Sequence, residues 1–600
     1  MPNNKNILLA TMISMAILLG WTWFYEKPKV EKREAMIEMQ KAEMKNSTTA
    51  RVAVNGAGLQ NGVGQDSVQG NVGKASSGNG LAAQDGKSSI LTLKNREELL
   101  EKSKHERVKI ESENLHGTLY LKGARFDDLT LAKYFQKIDD KQEVTLFAPA
   151  DSKERYFADF GWISSDSSLE LPNPNTVWKS NGAKLTPTTP IILSWRNKQN
   201  VEFLLEIALD ENYMFDVKQS AVNHSGKDFS LASYGRVNRV LNVAHKPNYI
   251  LHEGLIGVFD DVLHETTYKD IAKEKSQSFT SKSGGWLGIT DKYWLSSIIP
   301  DKSVNYKSDF SYSFNNQNQI FNAEFVGQEF KLEAGSTIKF DHKLFAGAKQ
   351  VKLLDKYSAD FDIKLFDRAI DFGWFYFLTK PFYFAIAFLH KFLGNFGLAI
   401  LAMTVLIKLV LFPMANKSYL AIARMKKLQP KIEEIRKKFK DDKIAMNREV
   451  MEMYKREKIN PASGCLPVLI QIPIFFSLYK VIFVTLDMRQ APFYGWIHDL
   501  SAPDPTSLFN LFGLLPYNVS GALAIGVWPV LMGVTMVLQQ KLSPQVGDAT
   551  QAKVLKYMPY VLTFVLAAFP AGLVIYWTWN NLLSIAQQLF ITKRVAKAKE

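Results

Sequence analysis

Asn395-Phe-Gly-Leu-Ala-Ile-Leu-Ala-Met-Thr-Val-Leu-Ile-Lys-Leu-Val-Leu-Phe-Pro413 is an apolar run long enough to cross a bilayer, and it holds one cation, Lys408. A charge near the centre of a spanning helix costs about 2.5–3.5 kcal/mol on insertion scales, so something must keep this ammonium wet or paired. Two readings are open at this residue alone. Its stem snorkels toward the basic segment after Pro413, less than two turns away, or it faces a water-filled cavity.

Outward from this run, the apolar segments are unevenly spread. They lie in the first 25 and the last 230 of 600 residues, so a mean hydropathy of −0.10 conceals them. The length exceeds one hydrophobic core and predicts several domains. A net charge of +14 and a pI near 9.3 suit an anionic partner, either nucleic acid or a membrane face. The single cysteine, Cys465, excludes an intramolecular disulfide. No metal is expected, since His264-Glu265 lacks a second histidine at metalloprotease spacing. No cofactor is expected either. Gly80 to Gly86-Lys87-Ser88 is one residue too long between its glycines for a phosphate loop, and it lies in a polar low-complexity stretch.

Upstream, Ile7 to Trp23 is apolar and closes on Trp21, Trp23 and Tyr25, with no small-residue cleavage site; residues 1–25 read as an uncleaved transmembrane anchor. Residues 26–89 are charged, then rich in Gly, Asn, Ser and Gln, the composition of a flexible linker. Over 90–360, short β-type runs alternate with turn signals: Glu143 to Ala148, Ile191 to Trp195, Val201 to Ala208 and Ile320 to Phe325, with Asn181-Gly182 and Ser225-Gly226 between such runs. This texture predicts an all-β sandwich. Residues 366–392 are apolar enough to pass for a span, but Lys380-Pro381 and His390-Lys391 interrupt them, and an interfacial amphipathic helix is expected. Spans follow at about 396–413, 461–484, 521–539, 556–569 and 572–591, with a basic tail at 592–600. The expected fold is an α-helical polytopic membrane protein of six spans, five of them forming a core over 396–591, plus a large all-β periplasmic sandwich domain.

Orientation follows from charge. The loop 417–458 carries fourteen Lys and Arg against seven Asp and Glu and is expected in the cytoplasm. With six spans both termini are then cytoplasmic and the β domain is outside. Lys27, Lys29, Lys32 and Arg33 oppose this locally, with Glu26, Glu31 and Glu34 among them.

The 417–458 loop reads as a helical hairpin. Met425, Leu428, Ile432, Ile435 and Phe439 repeat at 3-4-3-4 spacing along a basic helix that also contains Pro430. It is either a small coiled hairpin with solvated charges or a docking arm for nascent chains, ribosomes or anionic lipid at the cytoplasmic face. Recognition of nucleic-acid sequence is not expected, because no aromatic platform accompanies the charge. In the last span Trp577, Asn581, Ser584 and Gln588 share one helix face, Thr404 and Lys408 are i,i+4 neighbours, and Gln471 and Ser477 add polarity to the third span. Each alone reads as an interhelical hydrogen bond; several around one cation suggest a shared hydrophilic groove. No acidic residue falls within the five carboxy-terminal spans, and no nucleophile–base constellation stands out, so an enzyme is not expected.

The chain resembles the YidC/Oxa/Alb family of membrane-protein insertases, in its Gram-negative form, over nearly its whole length. The resemblance rests on Met425-Lys-Lys-Leu-Gln-Pro430-Lys-Ile432, Asn460-Pro-Ala-Ser-Gly-Cys-Leu-Pro-Val-Leu-Ile-Gln-Ile-Pro-Ile-Phe-Phe476, Arg489-Gln-Ala-Pro-Phe493, Trp496-Ile-His-Asp-Leu500 and Phe569-Pro-Ala-Gly-Leu573. Gly285-Trp-Leu-Gly-Ile-Thr-Asp-Lys-Tyr-Trp294 and Leu344-Phe-Ala-Gly347 extend it into the β region. It implies a β-super-sandwich similar to sugar mutarotases and a five-helix core with a groove open to cytoplasm and lipid. It also implies a chaperone and insertase for nascent inner-membrane proteins, alone or with the Sec translocon, and ribosome contact. The family places an arginine in the groove; Lys408 occupies the matching position and keeps the charge without the planar five-donor fork. Thr404 matches a lining position, as does Trp577 where the family often has tyrosine.

Two rivals predict other features. A small-solute transporter would show paired repeats and a midplane site. A membrane-anchored carbohydrate enzyme would need convergent acid–base groups in the β region, where His224, His245, His252 and His264 read as surface or satisfied side chains.

Overall fold

Strict alternation builds the β region. In the strand Val201–Leu209 every second residue is buried, the period of a strand with one face on a core. The structure, a computed structural model, describes residues 95–138, 140–242, 251–282, 284–315, 318–439, 442–457, 466–515, 519, 524–542 and 549–597. The expected anchor at 1–25 and linker at 26–89, His245, Cys465 and the end of the basic tail lie outside them.

Among the described residues the strands form two large sheets. One runs from Ser276–Ser281 at its edge through Asn318–Gly327, Phe229–Asn242 and Tyr156–Ile163 to Lys184–Leu185. The other runs from Val262–Thr267 through Gly285–Thr290, Thr337–Ala348 and Met214–Asn223 to Lys179–Ser180. Each of the four β-type runs quoted above falls on a strand. The sheets pack face to face: Phe126 meets Phe215 edge-on at 5.2 Å, and Trp162 meets Phe203 at 5.0 Å. The fully buried Gln219 side chain donates across the gap to the Gly161 carbonyl at 2.8 Å, satisfying two polar groups that burial would otherwise penalise.

Two histidines are held within this domain, His342 fully buried and His252 partly so. His342 stacks near Phe340 and Phe160, and its Nδ1 accepts the Asp301 backbone N–H at 3.0 Å. Burial pulls it down to about 4, and His252 likewise to about 4. The unfolded chain takes up these protons below about pH 6.5 while the folded domain does not. Stability is therefore present above that value and is lost as pH falls from 6.5 toward 4, at about 1.4 kcal/mol per pH unit per proton. His342→Gln keeps an acceptor for Asp301 and should flatten the acid side of the melting-temperature profile by one proton. An unchanged slope would contradict this.

Downstream, the chain becomes helical: α1 (Tyr376–Leu393), α2 (Phe396–Val410), α3 (Phe412–Lys438), α4 (Lys443–Arg456), α5 (Leu466–Val484), α6 (Val527–Leu542), α7 (Ala549–Leu566) and α8 (Ala571–Lys597). The expectation of one helix over 366–392 is corrected. Phe366 is wholly buried in the sandwich, edge-on to Trp286 at 5.3 Å and to Phe345 at 5.5 Å, so its apolarity serves the β core. Residues Phe366–Ala369 form a short 3-10 turn, and α1 starts only at Tyr376. Gly394, at φ +66°, ends α1, and the Asn395 side chain caps α2 by accepting the Leu398 N–H at 3.1 Å.

Among the described residues no single helix is both long and apolar enough to cross a bilayer by itself. Helices α1 and α2, bent by 120° at their junction, meet that measure as a pair. The long run 396–413 divides at Leu411, where Pro413 enters the first turn of α3. Asp504 organises the segment before α6: it accepts the Trp496 indole at 3.1 Å and the Trp528 backbone N–H at 2.9 Å, a cap supplied from 24 residues upstream. The β domain is tied to the helices by Lys480–Asp371 at 2.8 Å, by Lys380 with Asp355 at 2.6 Å and Asp367 at 2.8 Å, and by the Tyr293 and Ser501 hydroxyls at 3.2 Å.

Candidate functional site

Helix α8 packs along α6, α2 and α3, and α5 also approaches it. Between them lies a cavity of about 390 Å³ lined by Lys408, Gln471, Trp577, Asn581 and Ser584, together with Tyr419, Gln539, Gln540, Tyr576 and Asn580. The Lys408 ammonium donates to Ser584 Oγ at 2.8 Å, and the Ser584 hydroxyl donates to the Asn580 carbonyl at 2.7 Å. Among the described residues no carboxylate comes within ion-pair range of Lys408. The Gln471 amide donates to the Tyr576 hydroxyl, and Asn581 Nδ2 donates to Thr535 Oγ1 at 3.1 Å, joining α8 to α6. Trp577 meets Phe475 edge-on at 4.6 Å. Chemically this is a partly polar recess carrying one cation, with amide and hydroxyl groups able to donate or accept.

Three expected groove residues lie apart from that lining. Thr404 is buried and donates to the Ile400 carbonyl of its own helix at 2.7 Å. Ser477 is fully buried on another face of α5. Gln588 reaches the Leu542 carbonyl at 3.0 Å, closing the end of α6. Conversely, Tyr576 and Asn580 went unread in the sequence, although they precede Ser584 at 4-4 spacing and so share its helix face. On the helices that carry the site, Leu406, Leu409, Leu469, Phe476, Leu531, Val534, Phe564 and Phe590 are all exposed, apolar surface that water does not favour.

Helices α3 and α4 form the hairpin. Met425, Leu428 and Ile432 bury against Met453 and Tyr454, with Ile435 packed alongside. Phe439 sits past the end of α3 beside Lys438, and Pro430 is exposed on the outer face. Asp442 caps α4 by accepting the Ile444 and Ala445 N–H groups, each at 3.0 Å. Truncating the seam residue Leu428 to Ala should cost the hairpin about 2–5 kcal/mol and speed hydrogen exchange throughout α4. The exposed neighbour Lys426→Ala should leave exchange unchanged, and equal protection in both variants would count against the packed hairpin.

The β-domain histidines make ordinary structural contacts: His252 bonds the Leu255 carbonyl at 3.0 Å, His264 lies beside the stacked Phe259 and Phe279 rings, and His224 sits 3.5 Å from Glu202. Among the described residues no three His, Cys, Asp or Glu side chains group as metal ligands do.

Comparison with known proteins follows the same division. Residues 107–385 match the family described as YidC periplasmic domain, and residues 388–599 match the family described as 60Kd inner membrane protein. The membrane protein insertase YidC of Rickettsia bellii is 46% identical over 596 residues, 99% of this chain and all of that one. Its counterpart from Rickettsia rickettsii (strain Iowa) is 46% identical over 595 residues, again 99% of this chain and all of that one. A crystal structure of an active YidC insertase shares 18% identity over 80% of this chain and 92% of its own, with a TM-score of 0.33. On the full-length identity to these relatives and the match of both halves, the chain belongs to the YidC family of membrane protein insertases.

Proposed function

We propose that the cavity at Lys408 is the groove through which this protein inserts nascent membrane segments, without covalent chemistry. A client's apolar segment slides along the exposed faces of α5 and α8 while its short polar flank enters the recess. There the Lys408 ammonium and the amides of Gln471, Gln540 and Asn581 replace part of the water the flank gives up. The client's own burial drives the transfer, at about 25 cal/mol per Å² of apolar surface. An inside-negative potential adds about 2.3 kcal/mol per exported negative charge per 100 mV. The single observation that carries this reading is the convergence of the Lys408 cation with uncharged polar groups from α5, α6 and α8 in one cavity rimmed by exposed apolar side chains.

The rest of the organisation follows from the same reading. Helices α2, α5, α6, α7 and α8 are the core spans, of which α2 and α6, at 15 and 16 residues, are short enough to call for a locally thinned bilayer, and the apolar run at 7–23 is a sixth. Helix α1 lies in the outer interface, burying Phe382, Tyr383 and Ile386 while exposing Phe377, Phe384, Phe388 and Phe392. Both termini and the α3–α4 hairpin are cytoplasmic, where the hairpin's basic faces meet anionic lipid, the ribosome or the Sec translocon.

The test uses a Cys465→Ser background carrying Lys408→Cys, together with photo-crosslinkers at Gln540 and Trp577. A membrane-impermeant thiol reagent should modify position 408. A stalled nascent membrane protein should crosslink from 540 and 577 but not from Phe314, an exposed side chain of the β domain. A functional protein in which position 408 is closed to the reagent and neither lining position crosslinks would remove the groove.

A further inference from the structure

A second cleft, of about 780 Å³, opens beside the β domain, between the strand Val262–Thr267, the segment 368–376 and helix α5. Its lining is mixed. Glu265, Arg368 and the Lys480–Asp371 pair supply its charges, and Ile472 and Phe476, on the turns of α5 before Lys480, supply apolar wall. Ile472 and Lys480 are eight residues apart on α5, so about 12 Å of that helix separates them.

Two of the charged groups lack a close counter-charge among the described residues, although Lys480 and Lys349 act on the exposed Glu265 carboxylate and Arg368 acts on Asp367. Among the described residues neither Arg368 nor Glu265 belongs to an ion pair, whereas Lys480 and Asp371 bond each other at 2.8 Å. The Arg368 guanidinium lies 3.3 Å over the Tyr376 ring, which orients its fork. A cation and an anion in a single cleft, neither of them in a salt bridge, complement a ligand that carries both signs. Trp374, 97% exposed at the mouth, and Phe377, 73% exposed just beyond it, are side chains suited to a membrane–water interface. The apolar wall is built from α5 side chains that also line the Lys408 cavity, so the occupant's tails would lie beside the client's path.

We propose that this cleft binds one zwitterionic phospholipid of the aminoethyl class, phosphatidylethanolamine, with its phosphate on Arg368, its ammonium on Glu265 and an acyl chain along Phe476 and Ile472. Arginine suits the phosphate because its planar fork donates two parallel hydrogen bonds, and a carboxylate suits an ammonium that has three donors. A purely anionic headgroup would satisfy Arg368 and leave Glu265 facing a like charge. The proposal does not depend on the Lys408 groove, and client insertion is measured separately in the same preparation.

The experiment reconstitutes the full chain in nanodiscs of equal dioleoyl phosphatidylethanolamine and dioleoyl phosphatidylglycerol, and reads retained lipid by native mass spectrometry after extraction. Wild type should keep phosphatidylethanolamine over phosphatidylglycerol by about tenfold, the worth of one charge-assisted hydrogen bond. Glu265→Gln should abolish that preference while retaining lipid. Arg368→Gln should reduce retention of both lipids, and Arg368→Lys should restore part of it. Equal retention of the two lipids by wild type overturns the proposal even if a variant fails to fold, as does wild-type selectivity in Glu265→Gln. Displacement of the retained lipid by millimolar O-phosphoethanolamine would instead assign the site to a soluble phosphoamine and overturn the lipid assignment.

Discussion

Lys408→Glu should lose insertion of clients with short acidic flanks by an order of magnitude or more, while Lys408→Arg stays within a factor of about two of wild type. The reason lies in the proton inventory around Ser584. Its hydroxyl has one proton, committed to the Asn580 carbonyl at 2.7 Å, and accepts from Lys408 at 2.8 Å. An ammonium or a guanidinium can donate into that arrangement; a carboxylate, which only accepts, cannot. The charge effect is larger still. At an effective dielectric of about 20, a cation and a client carboxylate 4–8 Å apart attract by about 2–4 kcal/mol, and the glutamate turns this into repulsion of similar size. Pulse-labelled protease protection of a short-tailed client in a depletion strain reads the effect directly. Equal insertion and growth in wild type, Lys408→Arg and Lys408→Glu would sink the role of the charge.

Trp286→Ala should produce the largest change in the β domain and a small one in insertion. Trp286 is fully buried, packs edge-on against Phe366 at 5.3 Å and donates its indole N–H to the Lys364 carbonyl at 3.0 Å. It thereby pins the segment that leads from the sandwich to α1. Truncation of a buried tryptophan costs about 3–5 kcal/mol, and here it also strips the Lys364 carbonyl of its donor. For a domain of this size that is a fall in melting temperature of about 6–20 °C. Differential scanning fluorimetry of the detergent-solubilised chain measures it, and the insertion assay on the same variant tests whether activity resides in the helices. A carbohydrate enzyme held by a helical anchor would lose its activity along with the domain.

How much of this architecture is readable in one dimension depends on the range of the interactions involved. The strand Val201–Leu209 is legible because alternation is a local consequence of the pleat. The hairpin seam at Met425, Leu428 and Ile432 is legible because 3-4 spacing puts side chains on one helix face. Phe366 was misread for a physical reason. An aromatic side chain has the same hydropathy whether it faces lipid or a sandwich core, and only the ring contacts with Trp286 and Phe345 distinguish the two. Thr404 and Ser477 share the polarity of the groove residues, yet they point elsewhere because helix rotation is set by neighbours rather than by composition. Tyr576 and Asn580 were within reach, since they stand at 4-4 spacing to Ser584, but an apolar-looking tyrosine gives no signal until Gln471 is found across from it.

Periodicity, hydropathy and charge counts, all properties of adjacent residues, were sufficient to divide the chain into strands and helices and to mark Lys408 as the cation that has to be explained. Which of the polar groove candidates would bond it was beyond their reach. Ser584 lies 176 residues away, and the cleft beside the β domain draws Glu265, Arg368 and Lys480 from three separate segments. Such meetings depend on where helices cross and how a domain seats against them, which many weak packing contacts decide together and which no local window of sequence contains.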